Sequence, residues 1–368
     1  MSSLIPWQIR EGVRSVLEFP KRRQARKRHK LIRRKGDSGK PSVGFGGVLE
    51  DGRPVHGGAV KLLPLRDAFG GDERCFNTLY AVSSSQPQCA VDLFRRCRDQ
   101  GIRIVWNQNG VGYPAWADGE SERFNAPMRR LRSMADHVIY QSRFCEISAE
   151  RFLGPSEVPS GILYNPVDLV RFAPVARGGD GPLQILAAGT HGTRDRVISV
   201  LEMLALMRRG GIEAELSVAG KFQWRNAESD FHRTVDRLAI RPSVRRVQSF
   251  SQEDAAALYQ AHDLLVHPKY MDPCPTVVIE AMACGIPVVG SDSGGMPELV
   301  PDTCGKLVPG PVDWERRHTP TGEELAGAVT AILPNLPVMG AAARKHAEVR
   351  FAVEQWVEDH RRIFQNLS

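Results

Sequence analysis

The chain has 368 residues, of which 42% are hydrophobic and 25% are charged, and this composition is typical of a soluble globular protein. No apolar run of about 18 residues predicts a transmembrane helix, and the start of the chain lacks the apolar core of a secretory signal. The net charge of +7 is uneven, since residues 1–40 hold 13 Lys and Arg against 3 Asp and Glu, whereas the remainder holds 36 against 39. The slightly acidic body gives no indication of nucleic-acid binding.

The cysteines indicate a reducing environment. Their number is odd, and no two of them have the C-x-x-C spacing of a redox or zinc motif. We therefore expect reduced thiols in a cytoplasmic protein and no structural zinc site. The seven are Cys75, Cys89, Cys97, Cys145, Cys274, Cys284 and Cys304.

Residues 1–40 form a basic, partly amphipathic segment that we predict to be a tail. Apolar residues recur at helical spacing between Ile5 and Leu17, and ten Lys and Arg follow between Lys21 and Lys35. An amphipathic helix before a basic run suits an anionic membrane surface, which would place the protein on the inner face of the cytoplasmic membrane. A solvated tail without a partner is an equal alternative. Nucleic acid is disfavoured because no aromatic residues interleave the basic run.

From Pro41 onward, short apolar strands alternate with helical patterns, which predicts an α/β protein with parallel sheets covered on both faces. The Gly- and Pro-rich stretch at 172–184 marks a domain boundary. We predict a first domain over 41–172, a second over 173–350, and a final helix over 351–368 that packs back on the first domain. The predicted strands are SVGFGGVL, GIRIVWNQ, HVIYQS and GILYNP in the first half, and LQILAAG, AELSVAG, RRVQSF, DLLVHP and IPVVGSD in the second.

The segment Met271–Leu299 carries the strongest functional signal. Two prolines precede a helix that we predict to run from about Thr276 to Cys284, with Gly285 as a left-handed stop. The free N–H groups of Thr276 and Val277 would lie at the positive end of that helix, where an anion such as a diphosphate is stabilised.

Two carboxylates in this segment, Asp272 before the helix and Glu280 within it, are separated by seven residues. Their separate positions imply separate roles, one accepting ribose hydroxyls and the other meeting a sugar. Gly294 and Gly295 follow the next strand, where they allow the backbone to approach a ligand closely. A glycine pair is usually a turn and a helical Glu is usually solvated, but the joint order beside strand ends favours a nucleotide-sugar site.

This segment resembles the donor site of the retaining glycosyltransferases of family four, which have the GT-B fold. The family pattern is an acid, seven residues, a second acid, then EAMACGxPVV and a GGxPE loop; this chain has Asp272, Glu280, EAMACGIPVV and GGMPE. ADHVIYQS and ILYNPVDLVRFAP look like the end of that family's first domain and its hinge. Gly57 and Gly58 look like its glycine loop facing the donor phosphates. The resemblance covers roughly residues 41–368 and implies two Rossmann-like domains facing a cleft.

The resemblance implies that a sugar leaves a nucleoside diphosphate and joins an acceptor hydroxyl with retained configuration, in glycan or glycolipid synthesis, without a metal or cofactor. It makes Asp272 and Glu280 the catalytic carboxylates. If the tail binds a membrane, the acceptor is expected to be lipid-linked. Candidates for the donor diphosphate are Gly57, Gly58, Arg194, Arg196, Lys221, Thr276 and Val277, and those for the sugar and nucleotide are Asn107, Asn109, His191, Gly294 and Gly295.

The sequence differs from the family pattern at three places. The first acid is usually Glu, so Asp272 is shorter by one methylene. The usual Arg and Lys for the diphosphate are replaced by Thr190 and Asp195, and the choice among the nearby basic candidates stays open. Asn107 and Asn109 occupy the place of a common His; such amides hold hydroxyl groups but do not act as a general base. The alternative for that segment is a turn stabilised by side-chain amides.

Three functions fit these residues. The first is a sugar transferase. The second keeps the fold with another reaction, as in a nucleotide-sugar epimerase or a phosphorylase, although Glu280 favours a nucleotide pocket that a phosphorylase does not need. The third is a nucleotide-sugar-binding protein with weakened catalysis.

Overall fold

The computed structural model describes residues 7–36, 39–49, 60–117, 119–176 and 181–367. Its first domain contains α1 (Trp7–Lys30), β1 (Arg33–Arg34), β2 (Val43–Gly44), α2 (Leu62–Phe69), β3 (Cys75–Phe76), β4 (Thr78–Val82), α3 (Ala90–Asp99), β5 (Arg103–Gln108), α4 (Pro114–Ala117), α5 (Ser121–Arg132), β6 (His137–Tyr140), α6 (Arg143–Leu153) and β7 (Ser160–Ile162).

The main sheet of the first domain has five parallel strands in the order β2-β4-β5-β6-β7. Strand β4 is buried along its whole length and was not among the predicted strands. The neighbouring β5 is almost as fully buried and was predicted, so burial does not explain the omission of β4. The other four strands overlap the predicted ones.

The second half of the basic segment packs against the first domain and is not a free tail. Helix α1 places Ala25 and His29 in contact with the protein interior, and Arg26 forms an ion pair with Asp92 of α3 at 2.9 Å. Strand β1 then pairs with β3. The basic side chains between these contacts remain exposed, so α1 forms a positively charged outer surface of the domain.

The second domain contains a six-stranded parallel sheet with the order β10-β9-β8-β11-β12-β13. Chain order reverses beside β8, because β9 and β10 lie on one side of it and β11 to β13 on the other. Its elements are β8 (Leu183–Ala188), α7 (Arg194–Arg209), β9 (Ala214–Ala219), α8 (Ala227–Arg237), β10 (Val244–Val247), α9 (Gln252–Gln260), β11 (Leu264–His267), α10 (Thr276–Ala283), β12 (Val288–Asp292), α11 (Met296–Leu299), β13 (Gly305–Pro309), α12 (Gly322–Ile332), α13 (Leu336–Arg350) and α14 (Val353–Leu367).

One helical stretch of the described chain, Gly322–Arg350, is long and apolar enough to cross a membrane by length and composition alone. It comprises α12, a 3-10 turn and α13. Leu325, Val329 and Ile332 are buried in the hydrophobic core formed with α7 and the central strands. We therefore assign the stretch to the outer layer of the second domain.

The chain crosses between the domains twice at neighbouring positions. Val167 pairs with the segment around Phe351, since the N–H of Val167 donates to the carbonyl of Phe351 at 2.8 Å. After this crossing, α14 packs back on the first domain. Phe364 of α14 lies edge-on to Phe69 with ring centroids 5.3 Å apart, and the hydroxyl of Tyr80 donates to Nε2 of His360 at 3.0 Å.

Candidate active site in the cleft between two sheets

The cleft lies beyond the carboxyl ends of both parallel sheets. In an open parallel sheet a ligand binds where the strand order reverses, because the loops on the two sides diverge there and leave a crevice. In the second domain this point lies between β8 and β11. The loops that follow these strands, 189–193 and 268–275, carry His191 and Asp272.

Asp272 belongs to a group of charged and hydrogen-bonding side chains, here called the acid network, in which Arg196, His267 and Asp272 are buried and Lys269 is partly exposed. Oδ2 of Asp272 accepts from Nε2 of His267 at 2.9 Å and from Nζ of Lys269 at 3.1 Å. Burial by itself would raise the pKa of Asp272, but the charge of Lys269, the hydrogen bond from His267 and the charge of Arg196 together lower it below its usual range. Asp272 is therefore a carboxylate at neutral pH and not a proton donor.

The tautomer of His267 follows from its partners. Nη2 of Arg196 can only donate, so Nδ1 of His267 accepts at 3.2 Å and its proton resides on Nε2, facing Asp272. Burial and the charge of Arg196 lower the pKa of His267 to about 4. A neutral His267 thus fixes the orientation of the Asp272 carboxylate without carrying charge.

Arg196, among the predicted phosphate ligands, is held below the loop after β8. Its guanidinium donates to the carbonyls of Thr190 at 2.9 Å and Ala188 at 3.0 Å, while Nε has no partner among the described residues. Burial lowers the pKa of Arg196 to about 10, which leaves it charged at neutral pH. It lies near Val277 at the start of α10, since both side chains border Gly189.

Helix α10 has the predicted limits. It begins at Thr276 after Pro275, which provides no side-chain cap, and Gly285 follows its end with φ +73°. The first N–H groups of a helix have no partner inside the helix, so those of Thr276 and Val277 are available to a ligand. Both residues are accessible, in contrast to Val278, which is buried.

Glu280 lies one turn into α10, apart from Asp272. Its Oε2 accepts a hydrogen bond from the hydroxyl of Tyr259 at 2.8 Å. Burial raises the pKa of Glu280 to about 7, against the opposing effects of that hydrogen bond and of the charge of Arg171. The two carboxylates therefore differ: Asp272 is always ionised near neutral pH, and Glu280 titrates there.

Gly294 and Gly295 approach protein backbone instead of open space. A Cβ atom on Gly294, where φ is +67°, would clash with the carbonyl of Asp272, and one on Gly295 would overlap that of Pro273. The N–H of Gly295 donates to the carbonyl of Asp272 at 2.8 Å. Both positions require glycine, as expected, but the reason is their close packing against the backbone of the loop that carries Asp272.

The residue before Asp272 has an unusual conformation. Met271 has φ +51°, in the left-handed region that a side chain of this size rarely adopts. Its N–H donates to Oγ of Ser293 at 2.8 Å, and its carbonyl accepts from the hydroxyl of Tyr113 in the first domain at 3.3 Å. The position of Asp272 thus depends on contacts from both domains.

The remaining second-domain candidates make no hydrogen bond or ion pair to the acid network among the described residues. Arg194 is exposed and forms an ion pair with Asp230 at 3.4 Å, and the side chain of Lys221 is exposed. His191 is buried, and its Nε2 donates to the carbonyl of Ala219 at 3.0 Å, which leaves Nδ1 without a partner among the described residues. Of the three basic candidates, the structure brings only Arg196 into contact with the acid network. Gly57 and Gly58 lie outside the described residues.

The first domain presents a different group at its strand ends, here called the amide cluster: Asn107, Asn109, Gln141 and Asn165. Nε2 of Gln141 donates to Oδ1 of Asn107 at 2.8 Å and to Oδ1 of Asn109 at 2.5 Å. Nδ2 of Asn165 donates to Oε1 of Gln141 at 3.3 Å and to the carbonyl of Cys274 at 2.9 Å. The predicted Asn107 and Asn109 are therefore joined by two amides that sequence reasoning did not select.

Three further contacts join the domains beside the site. The carboxylate of Glu298 accepts from the N–H groups of Arg143 and Phe144 at 2.7 and 2.8 Å, at the start of α6. Oγ of Ser142 donates to the carbonyl of Pro273 at 2.6 Å. Trp314 stacks on Phe144 with ring centroids 5.4 Å apart. These contacts hold the two strand-end surfaces against each other.

Within the described part of the chain, no group of three or more His, Cys, Asp or Glu side chains is arranged to hold a metal ion.

Comparison with known proteins bears on the second domain most directly. Residues 182–332 match the family model of glycosyl transferases group 1. The second domain is similar to this family over that range. Two similar curated relatives are D-inositol 3-phosphate glycosyltransferases. That of Streptomyces bingchenggensis is 39% identical over 88 residues, 23% of this chain and 19% of the relative, and that of Mycolicibacterium paratuberculosis is 36% identical over 118 residues, 31% and 25% of the two chains.

The curated relatives match only in part, since the aligned segments span from 19% to 26% of their length. Solved structures cover more of the chain. Sucrose-phosphate synthase from Thermosynechococcus elongatus has a TM-score of 0.64 at 21% identity, over 79% of this chain and 74% of that one. Anabaena HepE, in complex with UDP-glucose, has a TM-score of 0.65 at 17% identity, over 89% and 97%. The predicted GT-B fold is confirmed.

Proposed function

We propose that this protein is a retaining glycosyltransferase that moves a sugar from a nucleoside-diphosphate sugar to an acceptor hydroxyl. The observation that carries the proposal is the start of α10 at the strand-order reversal, with Asp272 just before it and Glu280 one turn inside it. Anabaena HepE has been solved with UDP and with UDP-glucose, which supports a nucleotide-sugar donor for a chain of the same fold.

The donor diphosphate would bind the N–H groups of Thr276 and Val277, where the helix end favours negative charge. Glu280 would accept the ribose hydroxyls in place of the hydroxyl of Tyr259. Asp272, fixed by His267, would face the sugar as a carboxylate that accepts a hydroxyl and stabilises positive charge developing at the anomeric carbon.

In the transfer, the bond between the anomeric carbon and the diphosphate oxygen breaks, and its electron pair stays on that oxygen. The acceptor oxygen forms the new bond to the same face of the carbon, and its proton passes to the departing diphosphate. This order of events keeps the configuration and needs only groups that donor and acceptor supply. The chain's residues position the partners and stabilise the charges.

The decisive experiment is to mix purified protein with UDP-, GDP- and ADP-sugars and follow release of the nucleoside diphosphate, with and without candidate acceptors. Release together with a product of retained anomeric configuration by NMR supports the proposal. An epimerase would instead change the sugar while leaving it bound to the nucleotide, and a phosphorylase would need phosphate and no nucleotide. Each of these outcomes would overturn the proposal.

A nucleotide-sugar-binding protein without turnover is the second candidate. It is favoured by the position of Arg194 and Lys221, whose exposed side chains are not in contact with the acid network. In the same experiment this candidate predicts saturable binding of a nucleotide sugar without release of the diphosphate.

We further propose that α1 attaches the protein to an anionic membrane surface and that the acceptor is lipid-linked. Phe19 and Leu31 are 65% and 54% exposed, and basic side chains between them face outward. Attraction to anionic lipid is about 1 kcal/mol per basic residue near the surface and weakens with salt. Liposomes with anionic lipid should sediment the full chain at low salt, and a variant with Arg22, Arg23 and Lys27 changed to Gln should sediment less. Equal sedimentation of the wild type and the variant would contradict a role of α1 in membrane binding.

A further inference from the structure

The least expected charge in the cleft is Lys61, immediately before α2. It is buried, and its Nζ donates to three amide oxygens: Oδ1 of Asn107 at 2.9 Å, of Asn165 at 3.4 Å and of Asn109 at 3.5 Å. The amide cluster therefore surrounds a cation.

None of these partners carries a negative charge. Across the residues that the structure describes, no carboxylate lies within ion-pair distance of Lys61. A buried ammonium ion is unfavourable unless it is paired, because neutral oxygens replace only part of its hydration. Arg196 differs in this respect, since the Asp272 carboxylate lies in the same network.

Lys61 is connected to the start of α10 through the side chain of Asn165. Nδ2 of Asn165 lies 3.4 Å from Oγ1 of Thr276, and Oδ1 of the same amide accepts from Lys61. A single amide side chain thus separates the cation of the first domain from the first residue of the helix whose free N–H groups face the cleft. Two of its three hydrogen bonds are long, so an anion at this point would compete readily for Nζ.

We infer that Lys61 is a catalytic residue that contacts the diphosphate of a donor bound at the start of α10. The inference rests on the proposed function. It assigns Lys61 of the first domain, across the cleft from α10, to the departing diphosphate. As the bond from the anomeric carbon to the diphosphate oxygen breaks, the ammonium ion stabilises the negative charge that collects there. Lys61 itself forms and breaks no covalent bond and only changes hydrogen-bond partners.

The protonation of Lys61 provides a specific readout. Burial lowers its pKa to about 7, so the side chain is neutral in about nine-tenths of the molecules at pH 8. A bound diphosphate favours the ammonium form and raises that pKa, which means that binding takes up a proton.

The other titratable groups that face Lys61 do not change their protonation in the pH range of the proton-uptake measurement. Burial raises the pKa of Cys145 to about 12 and that of Cys274 further, and it raises the pKa of Tyr80. Burial also lowers the pKa of His360 to about 3. All four stay neutral between pH 7 and pH 9. A phosphate group loses its last proton near pH 6, so UDP is also fully ionised at pH 8.

The test is calorimetry of UDP binding at pH 8 in buffers of different ionisation enthalpy, with the wild type, Lys61→Met and Lys61→Arg. We expect Lys61→Met to bind UDP at least tenfold more weakly, to lose proton uptake and to retain wild-type affinity for uridine, which has no phosphates. Lys61→Arg should keep most of the affinity for UDP but take up no proton, because arginine is already charged. Lys306→Met, on the exposed side of β13, is the matched loss of one lysine charge and should behave as wild type.

Wild-type affinity and proton uptake in Lys61→Met would overturn this inference and leave the proposed function intact. If uridine binding is lost together with UDP binding, Lys61 supports the fold, and the inference is also wrong unless Lys61→Arg restores both. Failure of the wild type to bind UDP, GDP or ADP would overturn the inference and the proposed function together.

Discussion

The two sides of the cleft differ in whether their buried cations have a carboxylate nearby. In the second domain, the acid network places the carboxylate of Asp272 beside the cations of Lys269 and Arg196, with neutral His267 hydrogen-bonded between Asp272 and Arg196. In the first domain, the amide cluster surrounds Lys61 with neutral oxygens and leaves its charge uncompensated. A network that contains both signs of charge holds a reactive group in place, whereas a buried cation without a carboxylate partner favours an anionic ligand.

This difference predicts that changes in the acid network affect turnover most. Asp272→Asn should keep binding UDP and lower kcat by about 100-fold or more, since a fixed charge near the reacting atoms typically contributes that much. The measurement is kcat with the best donor of the nucleotide-sugar panel, beside the Kd for UDP. Asp302→Asn, an exposed change on the same domain, is the control. Turnover at the wild-type rate would exclude Asp272 as the sugar-side carboxylate.

Glu280 should affect donor affinity more than turnover. Loss of a charged acceptor for the ribose hydroxyls in Glu280→Ala should cost about 1.5–3 kcal/mol of binding free energy, which is roughly 10- to 150-fold in Kd. Calorimetry with UDP measures it. A folded variant with unchanged affinity would remove Glu280 from the nucleotide pocket.

The pKa of about 7 for Glu280 gives this prediction a pH dependence. Because the ionised form accepts the ribose hydroxyls, the affinity for uridine, which has no phosphates for Lys61 to contact, should rise from pH 6 to pH 8, and Glu280→Gln should remove that rise. The free energy of unfolding should show the opposite pH dependence and decrease as the pH rises. A pKa raised above its unfolded value of 4.5 contributes stability that is complete below pH 4.5 and lost as pH rises through 7, by up to about 3 kcal/mol. Thermal unfolding of both proteins from pH 5 to pH 8 measures it.

The smallest of these effects is expected at the contact that joins the two sides. Glu298→Gln keeps the size of the side chain but weakens its hydrogen bonds to the N–H groups of Arg143 and Phe144. We expect kcat/KM to fall about tenfold or less, because charge-assisted bonds at a helix start contribute roughly 1 kcal/mol. Glu315→Gln, on the exposed loop beside Trp314, is the control. Unchanged kinetics would mean that this contact does not contribute to the active arrangement of the domains.

Local signals made the backbone geometry of the second-domain candidate site predictable. Two prolines before Thr276 and a glycine at 285 determine the limits of α10, and both act through the backbone of their own segment. The spacing of Asp272 and Glu280 then follows from the sequence. By contrast, the choice of Arg196 over Arg194 needed the fold, because residues two apart on a helix point in different directions.

Sequence reasoning missed Lys61 for a physical reason. In the sequence it lies in an apolar helical pattern, GAVKLL, where a lysine normally extends into solvent. Its burial depends on four amides from three strand ends, which only the fold brings together.

A crystal structure of the protein with UDP would test the proposed contacts of Thr276, Val277, Lys61 and Glu280 with the nucleotide. We predict that the diphosphate accepts from the N–H groups of Thr276 and Val277 and lies within hydrogen-bond distance of Nζ of Lys61, with the ribose hydroxyls on Glu280. A diphosphate bound away from the start of α10, with Lys61 still enclosed by its amides and Glu280 distant from the ribose, would contradict it.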